Sequence, residues 1–67
     1  MERYVVRIYD VYGETLYESL GRGQSPYKED AHLYTRLELA QKKVAYYKKY
    51  PQWYRDAEIV TVNVTGF

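Results

Sequence analysis

The sequence predicts a small two-layer α+β domain with ββαβ order, in which a three-stranded antiparallel sheet packs one helix on one face. Three features predict it: two early segments rich in β-branched and aromatic residues, a helical segment free of glycine and proline, and an alternating segment near the end. Because 67 residues leave no room for two cores, we expect residues 1–67 to form a single domain, with a stability of only about 3–5 kcal/mol.

The first two strands are predicted to form a hairpin. Residues 3–12, RYVVRIYDVY, are typical of a strand. Successive side chains of a strand point to opposite faces, so Val6 and Ile8 share one face while Arg7 and Tyr9 share the other.

A glycine-containing turn leads into the second predicted strand, residues 15–20, whose register stays open because the turn could hold a bulge. Residues 21–30, GRGQSPYKED, contain two glycines and a proline and are predicted to form a loop. Ser25 and Pro26 also suit the first positions of a helix, so residues 25–34 are either loop or helix.

The clearest helix start lies at Thr35. Thr35 at the N-cap and Glu38 at the third helical position match a capping box, in which each side chain satisfies a backbone N–H near the other. Good helix formers continue to Tyr50, and Pro51 ends the helix. At about 100° per residue, one stripe is expected to face the sheet. Its members are Leu37, Ala40, Val44 and Tyr47.

The final strand is predicted over residues 57–65, AEIVTVNVT, by its alternation. A right-handed crossover through the helix then gives the strand order 2-1-3, with the first strand central and antiparallel to both neighbours. The helix covers one face of this sheet, and no other element is predicted for the second face.

Aromatic residues are concentrated around the end of the helix. Residues 44–54, VAYYKKYPQWY, contain five of them, in a chain with ten tyrosines and only one phenylalanine. On one interpretation these rings close the end of the core or are ordinary exposed residues. On another they contact a protein partner or a second copy, since Tyr and Trp are favoured at interface centres and lysines at the rim. The candidate partner-binding residues are Leu39, Tyr46, Tyr50, Trp53 and Tyr54.

The uncovered sheet face is the second candidate surface. It is expected to carry Arg7 and Tyr9, with Thr61 and Asn63 beside them and either Tyr17 or Glu18, depending on the register. Basic and aromatic residues on an open sheet are also found where RNA bases stack. A nucleic-acid-binding module is therefore the alternative function, with the basic loop residues Arg22 and Lys28 contributing.

The sequence does not indicate an enzyme. The single histidine, His32, has no nucleophile or orienting carboxylate at a recognisable spacing, and the absence of cysteine excludes thiolate metal sites. The adjacent Glu29 and Asp30 lack the spacing of a calcium loop. We therefore expect no cofactor, no metal and no catalytic residues.

Charge and length bear on the class of protein. A net charge of +1 is far from the strong positive excess of most nucleic-acid binders, and no apolar run approaches the ~20 residues of a membrane span. Without cysteines for disulfides, a cytoplasmic location is expected. Size and architecture are also typical of small proteins of phages and mobile elements, which would place the chain inside a host cell. The first hypothesis is a non-enzymatic protein-binding or regulatory module that occupies a partner surface and could act as a homodimer. A structural accessory subunit is the further alternative after the nucleic-acid-binding module.

Overall fold

The computed structural model describes residues 1–19 and 23–64, and it places four strands and one α-helix in two layers. In chain order the elements are β1 (Glu2–Asp10), β2 (Thr15–Ser19), β3 (Gly23–Ser25), a short 3₁₀ turn (Lys28–Asp30), α1 (Leu37–Lys48) and β4 (Tyr54–Asn63). One helix packed on an antiparallel sheet confirms the predicted α+β class.

The predicted three-stranded sheet of order 2-1-3 is corrected to a four-stranded sheet of order β3-β2-β1-β4. All three strand pairs are antiparallel. The additional strand, β3, has only three residues, and its polar sequence GQS carries no hydrophobic alternation that would predict it. Residues 25–34, left open as loop or helix, form the end of β3, the 3₁₀ turn and extended chain.

The β1–β2 hairpin is closed by Asp10. Its Oδ1 accepts hydrogen bonds from the backbone N–H groups of Tyr12 (3.0 Å) and Glu14 (2.8 Å). Gly13 has a φ of 87°, a conformation that favours glycine. The sequence left the register of β2 undetermined, and the structure pairs Arg7 with Tyr17. Tyr17 rather than Glu18 therefore lies beside Arg7 on the uncovered face.

The core lies between the sheet and α1. The side chains of Val6 and Ile8 on the central strand are fully buried, as the alternation of β1 predicts. Ala40 and Tyr47 are buried from the helix, and Val44 packs beside them. Ala57 and Ile59 of β4 complete this layer, so most core residues come from the two longest strands and the helix.

Three predictions about the helix are wrong. The N-cap is Arg36, which makes no side-chain capping bond, and the Glu38 carboxylate pairs with the Arg36 guanidinium instead of forming a capping box with Thr35. Leu37 belongs to the predicted core stripe but is 40% exposed, because it lies about 60° from Ala40 and about 80° from Tyr47 around the helix axis, at the margin of the buried stripe. The helix also ends at Lys48 rather than at Tyr50.

The prediction for the faces of β4 is also wrong. The register pairs Val5 with Val60 and Arg7 with Glu58, so Val60 and Glu58 lie on the uncovered face beside Arg7. Thr61 pairs with Tyr4 on the helix-covered side instead. The alternation of β4 was assigned to the wrong faces, because Val60 and Val62 are half-buried on the face away from the helix. Val5, beside Val60 on that face, is fully buried although the helix does not cover it, so this face is exposed only in part.

Some predicted features lie outside the described residues. These are the end of the second predicted strand at Leu20, the basic loop residue Arg22, and the end of the final strand at Thr65. Among the residues that are described, no helix has both the length and the apolar character that crossing a membrane requires.

We predict that Ile8→Ala is severely destabilising. The substitution leaves a cavity at a fully buried position, which costs about 2–5 kcal/mol, as much as a domain of this size has in total. Leu39→Ala, at a helix position that is 40% exposed, should change the free energy of unfolding by about 0.5 kcal/mol or less. Urea unfolding followed by circular dichroism compares the two variants, and equal losses would contradict the packing of α1 on β1.

Candidate functional site

Four aromatic side chains surround an open groove of about 280 Å³ at the end of α1. We call this the aromatic groove, and its lining residues are Tyr46, Tyr50, Trp53 and Tyr54. The side chains of Trp53 and Tyr46 are 57% and 49% exposed. Four of the five residues predicted to bind a partner therefore lie in one place.

The chain after α1 folds back to place these rings. The backbone N–H groups of Trp53 and Tyr54 both donate to the carbonyl of Tyr50, at 2.9 Å each. The Trp53 carbonyl in turn accepts a 3.2 Å hydrogen bond from Val11 in the β1–β2 turn. Pro51 favours this turn because its ring fixes φ and disfavours a helical conformation for the residue before it.

Contacts between rings hold the groove walls. The rings of Tyr46 and Tyr50 meet edge to face with centroids 5.2 Å apart. Tyr46 also contacts the buried Tyr47 at 5.3 Å, and Tyr47 contacts Tyr54 at 5.0 Å. Such pairs contribute about 0.5–1.5 kcal/mol beyond area burial. The groove is thus built directly on a core residue.

Leu39, the fifth predicted residue, does not line the groove. It lies seven positions before Tyr46, on the same side of α1, and is 40% exposed. Three exposed lysines, Lys42, Lys43 and Lys49, lie around this part of the helix. The Nζ of Lys43 lies 5.7 Å from the centroid of the Tyr46 ring, a cation–π distance. A lysine therefore lies beside the groove at Tyr46.

A second, polar pocket of about 320 Å³ adjoins the groove and shares Tyr46 and Tyr54 with it. At its base lies the carboxylate of Glu18, a residue only 7% exposed. Glu18 accepts hydrogen bonds from the hydroxyls of Tyr34 and Tyr47, the latter at 3.1 Å. The Nζ of Lys43 is 3.5 Å from the same carboxylate.

Gln24 and Tyr47 also line the polar pocket. Gln24 of β3 donates a 2.7 Å hydrogen bond from Nε2 to the hydroxyl of Tyr54, which connects the edge strand to the aromatic groove. Burial raises the pKa of the Tyr47 hydroxyl well above its ordinary range. The Tyr47 hydroxyl therefore stays protonated above the pH at which an exposed tyrosine ionises, and it remains a hydrogen-bond donor to Glu18 there.

The pattern of the sequence alone did not identify Glu18, Gln24 and Lys43 as part of this site. One signal was present: Glu18 follows Leu16 by two residues, so the two side chains share a face of β2. Leu16 packs against the core, and a carboxylate on that face requires partners to offset its burial. The unknown register of β2 concealed this signal.

The uncovered sheet face carries Arg7 and Tyr9, as predicted, but both are bound to Glu58. The Arg7 guanidinium lies 3.2 Å from Glu58 Oε1, and the Tyr9 hydroxyl donates a 2.5 Å hydrogen bond to Oε2. Arg7 also lies 5.8 Å from the Tyr9 ring centroid. The positive charge of Arg7 is thus neutralised by a neighbour on the same face, and the side-chain donor that lacks a partner there is the buried Arg7 Nε.

The hydrogen bond from Tyr9, followed by the interactions with Arg7, holds the pKa of Glu58 below its usual range. The same hydrogen bond raises the pKa of the Tyr9 hydroxyl. Because the folded-state pKa of Glu58 is depressed, its contribution to stability is present above its unfolded-state pKa and is lost as the pH falls through the folded-state value.

Within residues 1–19 and 23–64, no group of three or more His, Asp or Glu side chains is arranged to hold a metal ion. His32 packs its ring edge to face on Tyr34 at 4.4 Å, and Ser25 donates a 2.8 Å hydrogen bond to Asp30. His32 and Ser25 are thus engaged in separate local contacts.

Comparison with known proteins gives no relative: no protein-family model matches the chain, and neither do curated proteins or solved structures. The functional argument therefore depends on the geometry of the surfaces described above.

We predict that Tyr47→Phe lowers the free energy of unfolding by about 1–3 kcal/mol. The variant keeps the buried ring but removes one of the two hydroxyl donors to the buried Glu18 carboxylate. Tyr46→Phe is the matched control, because this ring is half exposed and its stability should change by about 0.5 kcal/mol or less. Urea unfolding measures both, and a loss no larger for Tyr47→Phe than for Tyr46→Phe would contradict the role given to Glu18.

A second prediction concerns Glu58. Its side-chain carboxyl should titrate below the ordinary value of 4.5 in the folded protein, and Tyr9→Phe should move the pKa upwards because it removes the main stabilising hydrogen bond. Tyr12→Phe, at a side chain that is 82% exposed, should leave the pKa where it is. Carbon-detected NMR titration of the glutamate carboxyls distinguishes these outcomes, and an unchanged value in Tyr9→Phe would show that the hydrogen bond does not form in solution.

Proposed function

We propose that this chain is a small protein-binding module that captures an acidic segment of a partner protein in the aromatic groove. The observation that carries this proposal is the clustering of Tyr46, Tyr50, Trp53 and Tyr54 around one open groove, with a tryptophan more than half exposed. The module acts by occupying a surface of its partner, and no chemical step is part of the proposal.

The physical support comes first from the cost of leaving these rings in water. Burial of apolar surface contributes about 25 cal/mol per Å², and aromatic side chains each bury about 150–250 Å² when covered. Rings held in place by backbone hydrogen bonds and by Tyr47 also lose little conformational freedom on binding. A preorganised aromatic surface of this kind is typical of the centre of an interface.

Charge indicates the chemistry of the partner. Lys43 lies against the Tyr46 ring of the groove, and Lys42 and Lys49 are exposed on the same part of the chain. The buried Glu18 carboxylate is already paired, with Lys43 and with the Tyr47 hydroxyl. A segment with one apolar or aromatic side chain for the groove and carboxylates on either side would match both features. A cationic ligand would meet repulsion from the same lysines, even though aromatic rings can bind cations.

The alternative, a nucleic-acid-binding module on the uncovered sheet face, has less support. Arg7 is paired with Glu58, and the Tyr9 hydroxyl is engaged by the same carboxylate. Phosphate contacts require cations that are available to the backbone of the nucleic acid. The intracellular location and the phage or mobile-element origin stay predictions from the sequence.

Selection from a library of short random peptides tests the proposal. We expect the selected peptides to share one aromatic or large aliphatic residue flanked by Asp or Glu. Trp53→Ala and Tyr50→Ala should each weaken binding of a selected peptide by at least about 30-fold, since truncating a central interface aromatic commonly costs 2 kcal/mol or more. Isothermal titration calorimetry measures the change.

Tyr12→Ala is the matched control, because Tyr12 is exposed but lies in the β1–β2 turn, outside the groove. Its affinity for the same peptide should equal that of the parent. Selected peptides that are basic, or peptides whose affinity is unaffected by both groove variants, would contradict the proposal. Binding to a random single-stranded oligonucleotide with a steep salt dependence, lost in Arg7→Ala, would favour the alternative.

A further inference from the structure

Among residues 1–19 and 23–64, no strand pairs with the outer side of β4. This strand, Tyr54–Asn63, lies at the end of the sheet order and its described partner is β1. The opposite edge strand, β3, has three residues. Long unpaired edges are rare in stable monomers, because they present free backbone N–H and C=O groups that pair readily with another strand.

The hydrogen-bond phase of β1 shows which residues of β4 point outward. Tyr4 exchanges backbone hydrogen bonds with Tyr34 (2.9 and 2.8 Å), and the N–H of Asp10 donates to Glu14. The even-numbered residues of β1 thus direct their backbone groups towards the β2 side, and the odd-numbered ones towards β4. Since alternate residues of an antiparallel strand bond to opposite sides, the odd-numbered residues of β4 direct their backbone groups away from β1.

One end of this edge is already closed. The outward N–H of Ala57 donates to Asp56 Oδ1 at 2.8 Å, and Lys48 from α1 lies 3.9 Å from the same carboxylate oxygen. Ile59 and Thr61 follow, and their outward backbone groups have no partner among the described residues. The available edge is therefore short, uncharged and composed of β-forming residues.

We propose that two copies of this chain associate through the β4 edge, by antiparallel pairing around a two-fold axis at Val60. In this register Ile59 of each copy faces Thr61 of the other, and each such pair exchanges both of its outward backbone hydrogen bonds. Glu58 faces Val62 of the other copy, so no two like charges meet across the axis. Pairing centred on Glu58 would place two carboxylates opposite each other.

The arrangement of α1 also favours a second copy of the chain as the partner at the β4 edge. Lys43 reaches Glu18 on β2 and Lys48 reaches Asp56 on β4, so these lysines mark opposite flanks of α1. Leu37 lies only about 20° from Lys48 around the helix axis and therefore lies on the β4 flank. Its 40% exposure, unexpected for a residue of the apolar stripe, would be reduced by a neighbour at this flank.

The distance between neighbouring strands allows α1 of the second copy to be that neighbour. The helix packs over β1 and β4, and strands lie about 4.8 Å apart, so a two-fold axis one half-spacing beyond β4 brings the two helix axes to about 10 Å. That is the distance at which packed helices lie. Tyr46 and Tyr50 of the aromatic groove each lie about 160° from Lys48 around the helix axis, towards the flank of Lys43, so the groove stays accessible in the dimer.

Sedimentation velocity over a concentration series tests the proposal, with twice the mass of the chain as the expected result. Thr61→Pro should sediment as a monomer, because proline removes an outward N–H without breaking a hydrogen bond to β1. Thr61→Ala keeps this N–H and should remain dimeric. A parent that stays monomeric at about 1 mM, an assembly larger than two copies, or a folded Thr61→Pro that still dimerises would overturn the proposal.

Should Thr61→Pro fail to fold, Val60→Lys takes its place. It sets two positive charges opposite each other at the axis on the solvent face, and we expect a folded monomer. Hydrogen exchange of the parent gives a readout without mutation: the amides of Ile59 and Thr61 should gain at least about tenfold protection from dilute to concentrated protein. A dimer in which these two amides stay unprotected would overturn the proposed pairing, and neither result bears on peptide binding in the groove.

Discussion

The β2 side of the molecule depends on the interactions of the buried Glu18 carboxylate. α1 packs mainly over β1 and β4, so β2 and β3 lack a helix above them. Glu18 offsets this by accepting hydrogen bonds from Tyr34 in the chain before α1 and from Tyr47 on α1 itself, with Lys43 nearby. Its backbone carbonyl also accepts a 2.9 Å hydrogen bond from His32. One residue thus connects a strand, a helix and a connecting segment.

The abundance of tyrosine follows from this arrangement. A small domain has few positions that are wholly shielded from water, and a tyrosine can fill the core with its ring while its hydroxyl satisfies a polar group at the boundary. Tyr47 shows this most clearly, because its ring contacts two groove residues and its hydroxyl reaches Glu18. The wall of the aromatic groove therefore packs directly against a core residue.

Sequence patterns identified most of the fold because its longest elements have regular periods. The alternation of β1 predicted the burial of Val6 and Ile8, and the helical spacing predicted that of Ala40 and Tyr47, but neither pattern predicted the full burial of Val5 on the other face of β1. The sequence patterns failed for segments that are too short to show a period, or whose residues suit either face of a sheet. β3 is too short to alternate, and the valines of β4 were assigned to the wrong face because half-buried β-branched residues suit either one.

The candidate site was predictable to a similar extent. The spacing of Tyr46 and Tyr50 shows that they share one side of the helix, and the sequence places Trp53 and Tyr54 shortly after it. That these rings enclose a groove depends on the reversal of the chain after Tyr50 and on its bond to Val11, which no local pattern encodes. The polar pocket depends on the register of β2, and hence on contacts between residues distant in sequence.

The pairing of β1 with β4 has a consequence for the synthesis of the chain. The central strand is made early, but its partner is made last among the described elements, and contacts such as Arg7 to Glu58 join residues 51 positions apart. At about 5–20 residues per second, β1 waits on the order of 2–10 s for β4 to be translated. During that time the valines and isoleucine of β1 have only the β2 hairpin to pair with. Closing so long a loop is slow compared with forming a helix, so folding on the ribosome is expected to finish only when β4 has emerged.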